Sequence, residues 1–124
     1  MHASKGKILL VATLDSKGDE VAFLKKQLDA RGRSVCVMDV GTAGSPNFPG
    51  DITRESVVSR TKMPIGMDGP AEALNAMASG ATAIVNDLLK AGEISAIAGV
   101  GGGKGAGVFH QITCDLPYGF PKVL

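Results

Sequence analysis

Tryptophan is absent, and only four phenylalanines and one tyrosine stand among 124 residues. These five aromatics, Phe23, Phe48, Phe109, Tyr118 and Phe120, are not interleaved with basic residues. That argues against a stacking platform for single-stranded nucleic acid. Charge of one sign is lacking too: 13 Lys and Arg face 12 Asp and Glu, for a formal net charge of +1. The chain offers no basic field for nucleic acid and no acidic tail. Its two cysteines, Cys36 and Cys114, are far apart and form no CxxC, so neither a disulfide nor a zinc site is indicated. Cys36, inside Val35-Cys36-Val37-Met38, reads as a small buried hydrophobe. No apolar run approaches the ~20 residues of a membrane span. The N-terminal residues lead straight into an apolar run too short for a signal sequence. We expect a soluble, cytoplasmic protein, a single α/β domain over residues 1–124 with one core.

Several short apolar runs are present. Lys7-Ile8-Leu9-Leu10-Val11-Ala12-Thr13 has the length and continuity of a strand covered on both faces. A helix follows, with Ser16 or Asp15 as its cap, Asp19 and Glu20 in its positive first turn, Val21, Leu24 and Leu28 on one face, and Gly32 at its end. Ser34 to Val40 reads as a second strand, completing a βαβ unit. The stretch 41–69 contains Pro46, Pro49 and Pro64, and one short helix near Thr53 to Ser59. A connection this long suggests a lid or a mobile insertion. Pro70 then opens a long helix with an apolar stripe of Leu74, Met77, Ala81, Ile84 and Leu88. A third strand from Ser95 to Val100, a short helix around Gly107 to Thr113 and the start of a fourth strand at Pro121 complete the order. The expected fold is an open, mainly parallel, Rossmann-like sheet with helices on both faces, strand order 2-1-3-4, incomplete at its C-terminal side.

Chemistry concentrates where glycine does. Six of the nine residues from Gly99 to Gly107 are glycine, directly after the third strand. That density predicts φ > 0 or a ligand approaching the backbone, and N–H groups beside a helix N-terminus attract phosphate. The run is not a Walker A loop, because Ala98 stands at the first glycine position and Gly105 replaces Ser/Thr. It matches G-x-G-x-x-[GA] through Gly101, Gly103 and Ala106. The candidate cradle is therefore Gly101, Gly102, Gly103, Lys104, Gly105 and Ala106, with Lys104 adding a point charge. At the switch point of order 2-1-3-4, the turn Thr13, Asp15, Ser16 and Lys17 faces the same ligand. Asp39, at the end of the second strand, is placed where an acid holds a ribose hydroxyl. His110 has no acidic or cysteine partner nearby in sequence and reads as a packed or surface residue. No Ser/His/Asp set, carboxylate pair or metal cluster is visible, so catalysis by this chain alone is not expected.

Three segments together resemble a known family. They are Val11-Ala12-Thr13-Leu14-Asp15-Ser16-Lys17-Gly18-Asp19-Glu20, then Val37-Met38-Asp39-Val40-Gly41, then the glycine run leading to Leu116-Pro117-Tyr118-Gly119-Phe120-Pro121-Lys122-Val123. The chain is similar to the N-terminal domain of the tomato mosaic virus resistance protein family. The resemblance implies an ATP-binding protein, ATP with or without Mg²⁺ as ligand, and a protein partner. It also implies that the chain is the N-terminal piece of a longer architecture. Relative to that family, Gly103 stands in place of Ser, Lys104 in place of Gly and Ala106 in place of Thr. The expected function is nucleotide binding. The alternatives are a module that dimerises through an exposed sheet edge, or part of an enzyme acting on a phosphorylated metabolite.

Overall fold

A computed structural model describes residues 6–62 and 69–124. Residues 1–5 and 63–68, Pro64 among them, lie outside the described residues. The elements are β1 (Lys7–Ala12), α1 (Leu14–Ala30), β2 (Val35–Asp39), α2 (Arg54–Ser59), α3 (Pro70–Lys90), β3 (Ile94–Val100), α4 (Gly103–Thr113) and β4 (Lys122–Val123). The strands form one open parallel sheet in the order β2-β1-β3-β4, the order expected from the sequence.

Period-two alternation within β1 divides its side chains between two cores. Leu9 and Val11 join Met38, Ile97 and residues of α2, α3 and α4, including Val57, Met77, Ala81, Val85, Phe109 and Ile112. Leu10 and Ala12 point the other way, with Val37, Leu14 and Val21, under α1. Among the described residues one face thus carries three helices and the other a single helix. Of the α3 stripe, Met77 and Ala81 are buried while Leu74, Ile84 and Leu88 pack at its margin. Phe23 on α1 points outward, 65% exposed.

Helix ends are marked by glycine. Gly32 and Gly92 take φ of 75° and 70° just after α1 and α3. The N–H groups of Arg33 and Gly32 then reach the carbonyls of Leu28 and Asp29, both at 3.0 Å. That is the paired closure a left-handed C′ residue permits.

The connection expected as a lid or mobile insertion is tied down over its first half. Asp39 donates its N–H to Ile52 O, Ile52 donates to Val37 O, each at 3.0 Å, and Val37 donates to Asp51 Oδ2 at 2.8 Å. The segment therefore covers the outer edge of β2, which would otherwise expose unpaired backbone groups. α2 then starts after Thr53, whose hydroxyl accepts from Ser56 N at 3.2 Å.

Candidate functional site

Register sets the geometry. Ala12 stands opposite Asp39 on one side and Val100 on the other, so the chain leaves β1 and β3 at the same level. α1 departs from β1 to return in β2, and α4 departs from β3 to return in β4 on the opposite face. The crevice between those two departures is the switch point of an open α/β sheet.

The β1–α1 turn is shorter than the sequence suggests. Helix α1 begins at Leu14 with Thr13 as N-cap, and Lys17 (φ −121°, ψ 17°) kinks it. Ser16 and Lys17 donate their N–H groups to Thr13 O at 3.1 and 2.8 Å, and the Thr13 and Ser16 hydroxyls are 2.8 Å apart. Neither Ser16 nor Asp15 caps the helix as expected, because the Asp15 carboxylate is turned towards the 41–44 segment. Asp15 Oδ2 accepts from Ala43 N at 2.9 Å.

Asp39 corrects the expectation of a ribose-binding acid. It is buried, 1% exposed. Its Oδ1 accepts from Leu14 N at 3.1 Å and Gly41 N at 2.8 Å, and its Oδ2 accepts from Arg54 Nε at 2.9 Å. Arg54 Nη1 donates to the carbonyls of Ala43 (3.2 Å) and Gly44 (2.8 Å), while Nη2 lies 3.6 Å from Asp15 Oδ2. Arg54 Nη2 is itself buried and makes no hydrogen bond. Both carboxylates thus face one guanidinium inside the fold. Gly41 makes room for the cluster, since a Cβ there would stand 2.5 Å from Arg54 Nη2. Arg54 was not singled out in the sequence. Its only signal is its position as the first residue of a short capped helix, fifteen residues beyond Asp39.

The glycine run is half helix. α4 begins at Gly103, not near Gly107, and Ala106 N already donates to Gly102 O at 2.8 Å. Ala106 therefore leaves the expected donor set. No glycine from Gly99 to Gly107 has positive φ. The density has two other causes. A Cβ on Gly99 would enter the Phe109 ring, and one on Gly101 would lie 2.9 Å from Gly105 Cα, so α4 sits close over β3. Around Gly102, Gly103 and Gly107, by contrast, a Cβ would meet nothing within 4 Å. Among the described residues nothing covers the helix N-terminus on its solvent side. Gly102 provides no side-chain cap, and the first N–H groups of α4 have no intrahelical acceptor. Lys104 is exposed beside them.

Other candidates fall outside this crevice. His110 and Cys114 are exposed on and just after α4, and Cys36 is half-buried on β2. Burial, then the nearby Asp51 charge, pushes the Cys36 thiol pKa up. Among the described residues no group of His, Cys, Asp and Glu is placed to hold a metal ion. None of the helices among them is long and apolar enough to cross a membrane.

Fold and site together define an open, parallel α/β domain of Rossmann-like build with a bare helix N-terminus at its switch point. The chain belongs to the family described as "Uncharacterised protein family (UPF0261) N-terminal domain", which matches residues 6–124. It is 30% identical over 127 residues to a UPF0261 protein of Brucella suis, covering 99% of this chain and 30% of that protein. It is 32% identical over 122 residues to a UPF0261 protein of Clostridium tetani, covering 95% and 30%. A UPF0261 protein of Mesorhizobium japonicum is likewise 32% identical over 121 residues, with the same coverage. The chain thus spans 30% of the length of these relatives. This match overturns the resemblance to the tomato mosaic virus resistance protein family. The quoted segments form the strand ends and βα turns of an open parallel sheet, features that many unrelated families share.

Proposed function

We propose that this chain binds the phosphate group of a nucleotide, ATP being the first to test, at the crevice between the β1–α1 turn and the start of α4. It performs no catalysis alone. The observation that carries the reading is the uncapped, glycine-bare N-terminus of α4 at the switch point. The N–H groups of Gly103, Lys104 and Gly105 open the helix there, and its dipole adds partial positive charge. Lys104 and Lys17 supply cations on the two sides, and Thr13 and Ser16 supply hydroxyls. Asp15 and Asp39 hold the turn in place instead of touching the ligand. We take the cytoplasm as its compartment, a reading supported by two unpaired cysteines.

Calorimetric titration with ATP, with and without Mg²⁺, and with inorganic phosphate tests the reading. Saturable ATP binding is expected, weakly mimicked by phosphate. Gly102→Val should abolish it while leaving circular dichroism and melting unchanged, because a side chain there meets nothing in the protein. Undiminished ATP affinity in that variant would remove the cradle from the account.

A second reading is favoured by the opposite end of the sheet. β4 is the outer strand, both its residues are exposed, and Ala96 and Ala98 of β3 are only half-covered on the α1 face. Self-association through this edge should appear as a dimer in sedimentation. A clean monomer at high concentration would sink it.

A further inference from the structure

From the switch point, a ligand body has two directions open in principle, towards β2 or towards α3. The β2 side is filled. Ala43 is bonded to Asp15, Asn47 N donates to Leu14 O at 3.3 Å, and the Asn47 carboxamide donates to Asp19 Oδ1 at 3.1 Å. The Asn47 side chain also closes over Gly18, where a Cβ would lie 2.8 Å from it. Residues 41–47 therefore occupy the place where a ribose would reach Asp39.

Among the described residues nothing fills the α3 side in this way. α3 and α4 run in the same layer on one face of the sheet, and a groove of about 450 Å³ lies between them. Its α4 wall is built by Gly103, Gly107 and Val108, its α3 wall by Ala71 and Leu74, and Lys104 stands with them. Gly103 and Gly107 are one helical turn apart and have nothing within 4 Å of their Cβ positions, so this wall is largely backbone. The carboxamides of Asn75 and Gln111 also line the groove and are shared with an adjoining groove of about 510 Å³. Among the described residues neither carboxamide makes a hydrogen bond.

We propose that the α3/α4 groove holds the body of the ligand whose phosphate lies at the start of α4, and that this body is a flat heterocycle with a hydrogen-bonding edge, such as a nucleobase. The proposal rests on the phosphate reading above. Leu74, only partly buried, provides apolar contact for the ring face. Asn75 and Gln111 each present a donor and an acceptor, the combination that matches the edge of a base. The glycine wall lets the ring approach the backbone closely. The volume falls within the roughly 300–1,000 Å³ of small-molecule sites.

The test compares ATP, inorganic tripolyphosphate and adenosine on the 124-residue chain. It uses calorimetry together with the ¹⁵N signals of the Asn and Gln side-chain amides. Asn75→Leu and Gln111→Leu alter exposed positions and should leave the fold intact. ATP should bind more tightly than tripolyphosphate. Each substitution should weaken ATP by about threefold to tenfold and leave tripolyphosphate unchanged. Adenosine alone should shift the side-chain amide signals of Asn75 and Gln111. Equal affinity for ATP and tripolyphosphate, with both variants binding ATP like the unmodified chain, would overturn the groove and leave the phosphate reading standing. Binding of adenosine without tripolyphosphate would overturn the phosphate reading instead. Binding of none of the three would remove both.

Discussion

At the scale of single residues, the fold turns on Arg54. One guanidinium holds the carboxylates of Asp39 and Asp15 and the carbonyls of Ala43 and Gly44, with the Arg54 side chain only 14% exposed. Removing one partner of a buried ion pair leaves the other charge uncompensated, which costs about 3–5 kcal/mol. Arg54→Met should therefore lower unfolding free energy by about that amount in urea titration. Asp39→Asn should cost less, since its Oδ1 can still accept from Leu14 and Gly41. A loss below about 1 kcal/mol for Arg54→Met, the range of exposed pairs, would show that the cluster is loosely held. Little of this was legible in the sequence. The sequence marks Asp39 by its position at a strand end, but its partner opens α2, a helix of 6 residues too short for a periodic pattern to reveal it. The carboxylates of Asp15 and Asp39 are taken up by Arg54 and by neighbouring backbone N–H groups.

At the scale of elements, the sequence was most informative where patterns repeat. The β1 and β2 runs, the α3 stripe and the C′ glycines Gly32 and Gly92 each act within a few residues, so local chemistry decides them. The start of α4 was misplaced for the converse reason. Glycine has poor helix propensity, yet packing over β3 makes Gly103 to Gly107 helical all the same. Contact between helices also inverts an ordinary rule. Gly→Ala inside a helix usually stabilises by about 1 kcal/mol. At Gly80 of α3, however, an added Cβ would run into the Val57 carbonyl of α2. Gly80→Ala should therefore destabilise, by roughly 1–3 kcal/mol as in other overpacked sites, and thermal melting would show it. A raised melting temperature would mean that α2 can move away from α3 at little cost.

At the scale of the whole molecule, strand order is what brings the β1–α1 turn and the start of α4 together. The order 2-1-3-4 followed from the sequence because a βαβ unit and a return past β1 leave few unknotted, right-handed alternatives. That order sends α1 and α4 to opposite faces and leaves a crevice beyond the carboxyl ends of the paired strands β1 and β3. What lines the opening depends on contacts between distant segments, which pattern reading does not reach. Membership of the UPF0261 N-terminal domain family, and not of the tomato mosaic virus resistance protein family, removes the inherited case for ATP. The phosphate reading then stands on geometry alone. It is tested most directly by following backbone amide resonances of the chain as ATP or pyrophosphate is added. The account predicts that the largest shifts fall on Gly102, Gly103, Lys104 and Gly105, with Thr13 to Lys17 moving in step. Shifts centred elsewhere, or none at millimolar ligand, would contradict it.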